Sequence, residues 1–451
     1  MAQPASSSDL LVAARSGASG QELVDIELPS TFRAAYTLKD EVGIFDGQTD
    51  KDVRRSLHVG EVAMPELAPD EVVVAVMSAA INFNTVWSAI FEPVPTFAFL
   101  EKFGRQGWHG ARHDLPYHIL GSDAAGVVVR TGPGVKSWKP GDHVVVSPSY
   151  VDEEDHGSYD DGMMSESQLA WGFETNFGAL GEFCIAKANQ LIRKPAHLTW
   201  EEAGSNTLCA ATAYRMLVGK HGARMKQGDV VLIWGATGGL GAFATQLVKN
   251  GGGIPVAVVS SEEKAALARA QGCEHIINRN ELNLGEEGMR NRKAGRILGE
   301  AIRSLVGEDP QIVFEYLGRE TFGASVYVAK RGGTIITCGS STGYKHEYDN
   351  RFLWMRLKSI IGSHGFNYHE AVEVNRLFGL GMIHPTLSAV FPLDEAGEAT
   401  RAVQTNQHVG KVAVLCGAEK EGQGVTDQAL RDKIGEERLN LFRHTGSSIL
   451  R

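Results

Sequence analysis

The sequence predicts an α/β protein in which a β-rich, barrel-like domain is interrupted by a second domain built on a parallel sheet. Three observations predict this arrangement. Short apolar segments separated by Gly, Pro and Asp fill residues 1–205, a regular alternation of strands and helices fills residues 206–352, and residues 353–416 return to the first pattern. The polar residues 417–451 are predicted to extend over the surface or against a neighbouring subunit.

Composition limits the classes of function. The 451 residues are 43% hydrophobic and 22% charged, which fits two globular domains. The net charge of −10, without a basic block, disfavours nucleic acid or a membrane surface as partner, so small molecules are the expected partners. No run approaches the roughly 20 apolar residues of a membrane span, and residues 1–20 lack an apolar signal core, which predicts a cytoplasmic protein. Five widely spaced cysteines without a Cys-x-x-Cys pair disfavour a disulfide framework and a structural zinc site.

The first part of the chain contains short predicted strands. They lie at residues 71–79, 126–130, 143–146 and 183–186. Gly and Pro residues at 131–134 and 139–142 separate the second strand from the third and predict a hairpin-type connection there. This spacing is typical of a twisted, barrel-like β domain.

The second part alternates strands with helices. The predicted order is strand 230–234, a glycine-rich turn, helix 243–249, strand 255–259, helix 262–271 and strand 275–277, with further strands at 312–315 and 333–338. Such alternation predicts a parallel sheet with crossover helices.

The glycine-rich turn is the candidate cofactor site. Its residues are Gly235, Thr237, Gly238, Gly239, Leu240 and Gly241, with Ala236 between the first two. Glycines at this spacing, after a strand and before a helix, allow the backbone to approach a dinucleotide pyrophosphate at the helix N-terminus. A glycine-rich turn without a ligand is the alternative, which the flanking strand and helix disfavour.

The tip of the next strand indicates which dinucleotide binds. A site for NAD places an acidic residue there, whereas this chain has Ser260 and Ser261, which favours NADPH. Lys264 and Arg279 are the cations within reach of a 2′-phosphate, although each is equally well explained as a solvated surface charge. We predict Ser260 as the helix N-cap, with Glu263 completing a capping box.

The layout of a β domain, an inserted nucleotide-binding domain and a return resembles the medium-chain dehydrogenase/reductase superfamily. The resemblance implies a GroES-like β-barrel catalytic domain with an inserted Rossmann domain. Zinc-dependent members carry a Gly-His-Glu turn, where this chain has Gly121-Ser122-Asp123, and Asn84 likewise offers no thiolate. Because hydroxyl and amide groups are poor zinc ligands, we assign no metal. Hydride transfer without a metal favours reduction of an activated C=C bond.

A closer resemblance covers roughly residues 20–416 and is to the crotonyl-CoA carboxylase/reductase family. It is carried by the stretches AINFNTVW (80–87), RHDLPYH (112–118), WGFETNFG (171–178), GRETFGASVY (318–327) and HEYDNR (346–351). The resemblance implies reduction of an α,β-unsaturated acyl-CoA with NADPH and capture of CO₂ on the resulting enolate, which gives an alkylmalonyl-CoA. It also implies a homo-oligomer, either a dimer or a tetramer.

The resemblance assigns a CO₂ pocket to Asn84, Phe173, Glu174 and His364. In this assignment the amide and the His, oriented by the carboxylate, hold the CO₂ oxygens, while Phe173 excludes water. Without the resemblance, a structural role for His364 and a surface position for Glu174 would be the better interpretations.

Arg351 and Tyr327 match positions that contact CoA in the family, and Arg296 stands where the family has a Lys. An exposed helix charge is an equal alternative for Arg296. A second cluster, His109, Arg112, His113 and His118, has no common metal-ligand spacing and receives no metal.

Two short segments depart from the family pattern. Tyr316 and Leu317 replace a His-Pro pair, and Gly365 and Phe366 replace Phe-Ala. Both segments are expected near the active site, where they bear on the preferred acyl chain. A non-carboxylating enoyl-CoA or quinone reductase is the alternative enzyme. A binding protein that merely retains NADPH, as lens crystallins do, is the alternative outside catalysis.

Overall fold

The computed structural model describes residues 8–446, so the outer ends of the predicted first domain and of the C-terminal extension lie outside the described residues. The chain forms two compact units. The first contains the described residues up to Leu208 together with Asn367–Asn375 and Leu387–Glu436. The second contains Cys209–Phe366, Arg376–Thr386 and the residues from Glu437 onward. Within residues 8–446 no helix has the length and apolar character needed to cross a membrane.

The secondary structure comprises strands and helices in both units. The strands are β1 (Thr31–Leu38), β2 (His58–Ala63), β3 (Glu71–Ile81), β4 (Tyr117–Ile119), β5 (Ala124–Thr131), β6 (His143–Val146), β7 (Ser149–Tyr150), β8 (Leu169–Ala170), β9 (Phe183–Lys187), β10 (Leu191–Arg193), β11 (Val230–Trp234), β12 (Ile254–Val259), β13 (His275–Asn278), β14 (Ile312–Glu315), β15 (Thr334–Thr337), β16 (Ser359–Gly362), β17 (Leu387–Pro392) and β18 (Lys411–Leu415). The helices are α1 (Asp9–Arg15), α2 (Gly20–Asp25), α3 (Phe83–Ala89), α4 (Phe97–Gly104), α5 (Trp108–Ala111), α6 (Trp200–Ala203), α7 (Thr207–Val218), α8 (Gly239–Asn250), α9 (Glu262–Ala270), α10 (Ala294–Val306), α11 (Phe322–Val328), α12 (Arg351–Trp354), α13 (Tyr368–Gly379), α14 (Ala396–Gln404), α15 (Gln428–Ile434), α16 (Glu436–Leu439) and α17 (Leu441–Gly446).

The first unit is built around β3, which is buried along its whole length. The main sheet has the order β10-β6-β5-β3-β18-β17, and β9 also pairs with β3. All of its pairs are antiparallel except β17 with β18. The four predicted strands are confirmed as β3, β5, β6 and β9. The predicted turn does link β5 to β6, and the Asp142 carboxylate accepts a hydrogen bond from the Lys139 N–H at 3.0 Å within it.

The second unit contains a six-stranded parallel sheet in the order β13-β12-β11-β14-β15-β16. Counted from β11 this is the order 3-2-1-4-5-6 of a doubly wound dinucleotide-binding fold. The predicted strands from 230 to 338 and both predicted helices are confirmed. The chain stays in this sheet longer than predicted, because β16 pairs with β15 and the second unit continues to Phe366, past the predicted return at residue 353.

The start of α9 corrects one prediction. The N-cap is Ser261, not Ser260: the Ser261 hydroxyl accepts a hydrogen bond from the Lys264 N–H at 3.3 Å. Ser260 still belongs to the bend that follows β12, and its carbonyl accepts a hydrogen bond from the Asn280 amide at 2.7 Å. Glu263 lies in the first turn, where the Ser261 hydroxyl lowers the pKa of its carboxyl.

The C-terminal extension packs on its own chain. The buried Arg431 guanidinium contacts both carboxylate oxygens of Glu202, at 2.8 and 3.0 Å, and the His197 carbonyl at 3.0 Å. The Lys194 ammonium donates to the Gly424 carbonyl at 2.8 Å, and burial lowers the pKa of Lys194 to about 7. The extension from residue 417 to 436 is therefore held by buried polar contacts within the first unit.

Replacing Arg431 with Ala is expected to destabilise the protein. The change leaves the buried Glu202 carboxylate without its partner, which costs about 3 to 5 kcal/mol. The midpoint of thermal unfolding should fall by about 5 °C or more, whereas Arg438→Ala, at an exposed position in α16, should shift it far less. Equal midpoints for the two variants, measured by calorimetry, would contradict the role assigned to Arg431.

Candidate active site

In the first unit, Ser122 links two of the predicted site segments. The Asn84 amide nitrogen, in the first turn of α3, donates to the Ser122 hydroxyl at 2.8 Å. Ser122 in turn donates to the Trp171 carbonyl at 2.9 Å. The Asn84 amide oxygen is buried and accepts no hydrogen bond from the described residues. Asn84 is thus held in one orientation beside the turn that follows Trp171.

That turn carries Phe173 and Glu174. Gly172, which directly follows Trp171, has a φ of +71°, and a Cβ there would lie 1.9 Å from the Gly121 carbonyl oxygen, so only glycine fits. The Glu174 carboxylate accepts from the Ala170 N–H at 2.8 Å. The Phe173 ring packs on another aromatic ring, that of Phe99, with centroids 5.9 Å apart. The hydrogen bonds through Ser122 therefore connect Asn84 to Trp171, which directly precedes the turn that carries Phe173 and Glu174.

A buried ion pair fixes the residue that follows Ser122. The Asp123 carboxylate lies 3.3 Å from the Lys411 ammonium and accepts from the Asn82 amide at 2.9 Å and from the Leu208 N–H at 2.7 Å. Burial raises the pKa of Asp123, and the Lys411 ammonium opposes that shift. Because Asp123 joins the ends of β3, β5 and β18, it also fixes the backbone at Ser122.

The histidine cluster supports the same turn. The His118 ring contacts the Thr96 hydroxyl at 2.8 Å and the Thr175 carbonyl at 3.1 Å. The His113 Nδ1 accepts from the Asn176 N–H at 3.0 Å. Burial lowers the pKa of His113 to about 3 and that of His118 to about 4, so both rings are neutral near pH 7. These two histidines hold the residues directly after Glu174.

In the second unit, the glycine-rich turn has the predicted conformation. It follows β11 directly, with Gly235 at a φ of +55° and Gly238 as the N-cap of α8. A Cβ on Gly241 would lie 2.3 Å from the Gly235 carbonyl oxygen, so the helix and the strand end approach closely there. Gly238 makes no side-chain cap, so the helix N-terminus offers its N–H groups to an anion.

Two cations lie near the tip of β12. Lys264 is in the first turn of α9, and Arg279 follows β13. Burial, together with the nearby Arg279 guanidinium, lowers the pKa of the Lys264 ammonium. Neither side chain pairs with a carboxylate within the described part of the chain. Two neighbouring cations without a counter-charge favour a bound phosphate, as predicted for Lys264 and Arg279.

The three residues predicted to contact CoA lie together in the second unit. The Tyr327 ring packs against the Phe352 ring, with centroids 4.6 Å apart, and a Cβ on Gly295 would lie 2.6 Å from Tyr327 Cγ. Gly295 and Phe352 are the chain neighbours of Arg296 and Arg351, so the backbones of both arginines lie near Tyr327. Arg296 pairs with Glu300 and Arg351 with Asp349, each at 2.6 Å and each exposed. Exposed pairs of this kind are weak and leave the cations available for phosphate.

His364 belongs to the second unit, whereas the other three predicted pocket residues belong to the first. It follows β16 and its side chain is exposed. The backbone around it is fixed by the Ser363 N–H, which donates to the Thr337 carbonyl at 2.8 Å, and by the fully buried Phe366. That His364 completes a pocket with Asn84, Phe173 and Glu174 stays a prediction.

Two hydrogen bonds of the site are not predicted by the sequence. Ser122, which the sequence marks as a poor zinc ligand, orients Asn84. Tyr316, which the sequence marks as a departure from the family pattern, donates from its hydroxyl to the Gly235 carbonyl in the cofactor turn. The signal in the sequence was the position of each residue: Ser122 lies within the Gly121-Ser122-Asp123 turn, and Tyr316 lies just before the stretch 318–327.

Comparison with known proteins identifies the family. A profile described as an alcohol dehydrogenase GroES-like domain matches residues 68–196, and one described as a zinc-binding dehydrogenase matches residues 239–378. A crotonyl-CoA reductase of Streptomyces collinus is 53% identical over 443 residues, which cover 97% of this chain and 99% of that protein. The chain belongs to the crotonyl-CoA carboxylase/reductase family. A crotonyl-CoA carboxylase/reductase of Cereibacter sphaeroides is 37% identical over 82% of this chain and 85% of its own length.

A solved structure of this family also matches. The 2-octenoyl-CoA carboxylase reductase CinF, from a Streptomyces species and in complex with NADP and 2-octenoyl-CoA, is 57% identical with a TM-score of 0.95. The match covers 98% of this chain and all of that one. The predicted resemblance and the predicted combination of a GroES-like domain with a Rossmann domain are confirmed.

The residues of this family member do not fit the zinc that one profile description implies. The Ser122 hydroxyl is already engaged with Asn84 and Trp171, and neither a hydroxyl nor an amide is a good zinc ligand. Within residues 8–446 no group of three or more His, Cys, Asp or Glu side chains could hold a metal ion. We therefore derive no chemistry through zinc.

Replacing Lys264 or Arg279 with Ala is expected to weaken binding of NADPH selectively. Loss of one charge-assisted contact to the 2′-phosphate should raise the Kd for NADPH about tenfold and leave the Kd for NADH nearly unchanged. The matched control is Lys249→Ala, at an exposed lysine in the last turn of α8. Titration of cofactor fluorescence measures all three variants, and equal losses for NADPH and NADH would remove these cations from the phosphate site.

Proposed function

We propose that the protein catalyses the NADPH-dependent reductive carboxylation of a 2-enoyl-CoA thioester to an alkylmalonyl-CoA. The observation that carries this proposal is the match along nearly the whole chain to CinF, at 57% identity. The retained residue types at Asn84, Phe173, Glu174 and His364 support the carboxylation step. We assign nucleotide binding to the second unit and the CO₂-positioning residues Asn84, Phe173 and Glu174 to the first.

In this proposal, backbone N–H groups and cationic side chains bind the phosphate groups of the cofactor, and cationic side chains bind those of the thioester. The turn from Gly235 to Gly241 presents N–H groups to a pyrophosphate, and Lys264 with Arg279 receives the 2′-phosphate. NADPH supplies a hydride to the β-carbon of the enoyl thioester, which leaves an enolate. Arg296 and Arg351, beside Tyr327, anchor the CoA phosphates.

The enolate then forms a bond to CO₂ at its α-carbon. Asn84 uses one of its two amide N–H groups on Ser122, and the second N–H is available to one CO₂ oxygen. Glu174 is fixed through the Ala170 N–H, and the family resemblance implies that its carboxylate orients the His364 ring. Phe173 excludes the water that would otherwise protonate the enolate. These groups position CO₂ and thereby favour carbon–carbon bond formation over protonation.

We also propose a homo-oligomer, a dimer or a tetramer, located in the cytoplasm. β16 is an edge strand of the parallel sheet, and Trp354, Met355 and Leu357 before it are more than half exposed. An unpaired edge beside exposed apolar side chains favours contact with a second copy. None of the five cysteines forms a disulfide, which suits a reducing compartment.

Turnover of an enoyl-CoA panel tests the proposed reaction. The purified protein is incubated with NADPH and enoyl-CoA esters of increasing chain length, with and without bicarbonate, and product masses are recorded. Bicarbonate should add the mass of CO₂ to the product. A saturated acyl-CoA under both conditions would instead establish a non-carboxylating reductase.

Replacing Asn84 or Glu174 with Ala should impair carboxylation more than reduction. Loss of a positioning group costs about 10²-fold in the step that it serves, so NADPH oxidation should continue while protonated product accumulates. Glu166→Ala, at an exposed glutamate, is the matched control and should keep the product ratio of the unmodified enzyme. The measurement is the ratio of carboxylated to protonated product at fixed bicarbonate, and an unchanged ratio in both variants would remove Asn84 and Glu174 from the CO₂ site.

A further inference from the structure

Tyr316 lies directly against the cofactor turn. Its strand, β14, pairs in parallel with β11, so the residues that follow the two strands emerge side by side. The Tyr316 hydroxyl donates to the Gly235 carbonyl at 2.8 Å. A Cβ on Gly235 would lie 2.5 Å from this hydroxyl oxygen and a Cβ on Gly238 would lie 3.0 Å from it. The hydroxyl therefore occupies the space that two glycines leave open.

The hydroxyl has the protonation state that this contact requires. Burial raises the pKa of Tyr316, and the backbone N–H of Gly241 opposes that rise only in part. The group consequently keeps its proton near pH 7 and donates a hydrogen bond to the Gly235 carbonyl. Gly235 is the first glycine of the turn, so the hydroxyl holds the end of the turn that directly follows β11.

The loop that carries Tyr316 is itself held firmly. The buried Glu315 carboxylate accepts four hydrogen bonds of 2.6 to 3.1 Å, from the Leu317 N–H, the Gly318 N–H, the Thr321 hydroxyl and the Ser325 hydroxyl. The Ser325 hydroxyl also accepts from the indole N–H of Trp234, the residue before Gly235, at 2.8 Å. The loop after β14 that carries Tyr316 is thus fixed by hydrogen bonds to residues of both β11 and β14.

We propose that Tyr316 is a positioning residue for the cofactor, whose hydroxyl holds the turn from Gly235 to Gly241 in the shape that receives the pyrophosphate. The inference rests on the proposed NADPH site and adds a residue to it. Without the hydroxyl, the Gly235 carbonyl keeps the hydrogen bond from the Gly238 N–H, within the turn itself, and loses the one that ties the turn to β14. The turn then gains freedom that binding must remove. The effect should fall on the pyrophosphate, since the 2′-phosphate is assigned to Lys264 and Arg279.

Tyr316→Phe tests the proposal with two ligands. NADPH contains the pyrophosphate, whereas adenosine 2′-monophosphate contains the adenosine and the 2′-phosphate without it. The variant should bind NADPH about fivefold more weakly and adenosine 2′-monophosphate with unchanged Kd. The KM for NADPH should rise by a similar factor, with kcat at saturating NADPH little changed.

Two further variants make the test decisive. Tyr368→Phe removes a tyrosine hydroxyl that bonds a backbone carbonyl, that of Leu191 at 3.1 Å, in the first unit, and it should leave both Kd values unchanged. Tyr316→Met also lacks the hydroxyl and has a flexible side chain, so it should show the same selective loss if the Phe variant folds poorly.

An unchanged Kd for NADPH in either folded Tyr316 variant overturns the proposal, and so does an equal loss for both ligands. Failure of both variants to fold also overturns it, because the hydroxyl would then serve stability and not the turn. An unmodified protein that binds NADPH but forms no carboxylated product overturns the proposed function alone, and the binding test of Tyr316 still stands.

Discussion

The parallel pairing of β11 with β14 is the constraint on which the nucleotide-binding unit depends. Neighbouring parallel strands end at the same edge of the sheet, so the turn after β11 and the loop after β14 must lie side by side. The backbone groups released at these ends need partners if they are buried. Here Tyr316 and the buried Glu315 supply them, and the cofactor turn is consequently shaped by side chains before any ligand arrives.

In the first unit, Ser122 plays a comparable part. It lies in the Gly121-Ser122-Asp123 turn, which the resemblance aligns with the Gly-His-Glu turn of zinc-dependent dehydrogenases. Ser122 receives one hydrogen bond from Asn84 and donates one to Trp171, so its hydroxyl fixes two segments of the chain. The ion pair of Asp123 with Lys411 is buried, and removing either partner would leave an uncompensated charge. Asn84 is thus oriented directly by Ser122, and the ion pair of Asp123 with Lys411 fixes the backbone next to Ser122.

Much of the fold was predictable because buried parallel strands read as continuous apolar runs, as β11 and β12 do. The edge strand β16 was not predicted, since it is short and only half buried, and its pairing becomes visible only once β15 is in place. Ser261 and Ser260 are chemically identical candidates for the α9 cap, and the end of β12 at Val259 decides between them. The bonds from Ser122 to Trp171 and from Tyr316 to Gly235 span 49 and 81 residues, and no local pattern encodes contacts at that separation.

The four cations predicted to bind phosphate groups all lie in the second unit. The chain carries a net charge of −10, yet the proposed reaction requires it to bind two polyanions, NADPH and an acyl-CoA. Long-range repulsion from the net charge is screened beyond about 8 to 10 Å at physiological ionic strength. Local cations therefore decide binding, and they differ in kind: Lys264 and Arg279 have no carboxylate partner within residues 8–446, whereas Arg296 and Arg351 are neutralised by Glu300 and Asp349. The first pair is poised to attract a phosphate, and the second pair must exchange a carboxylate for one.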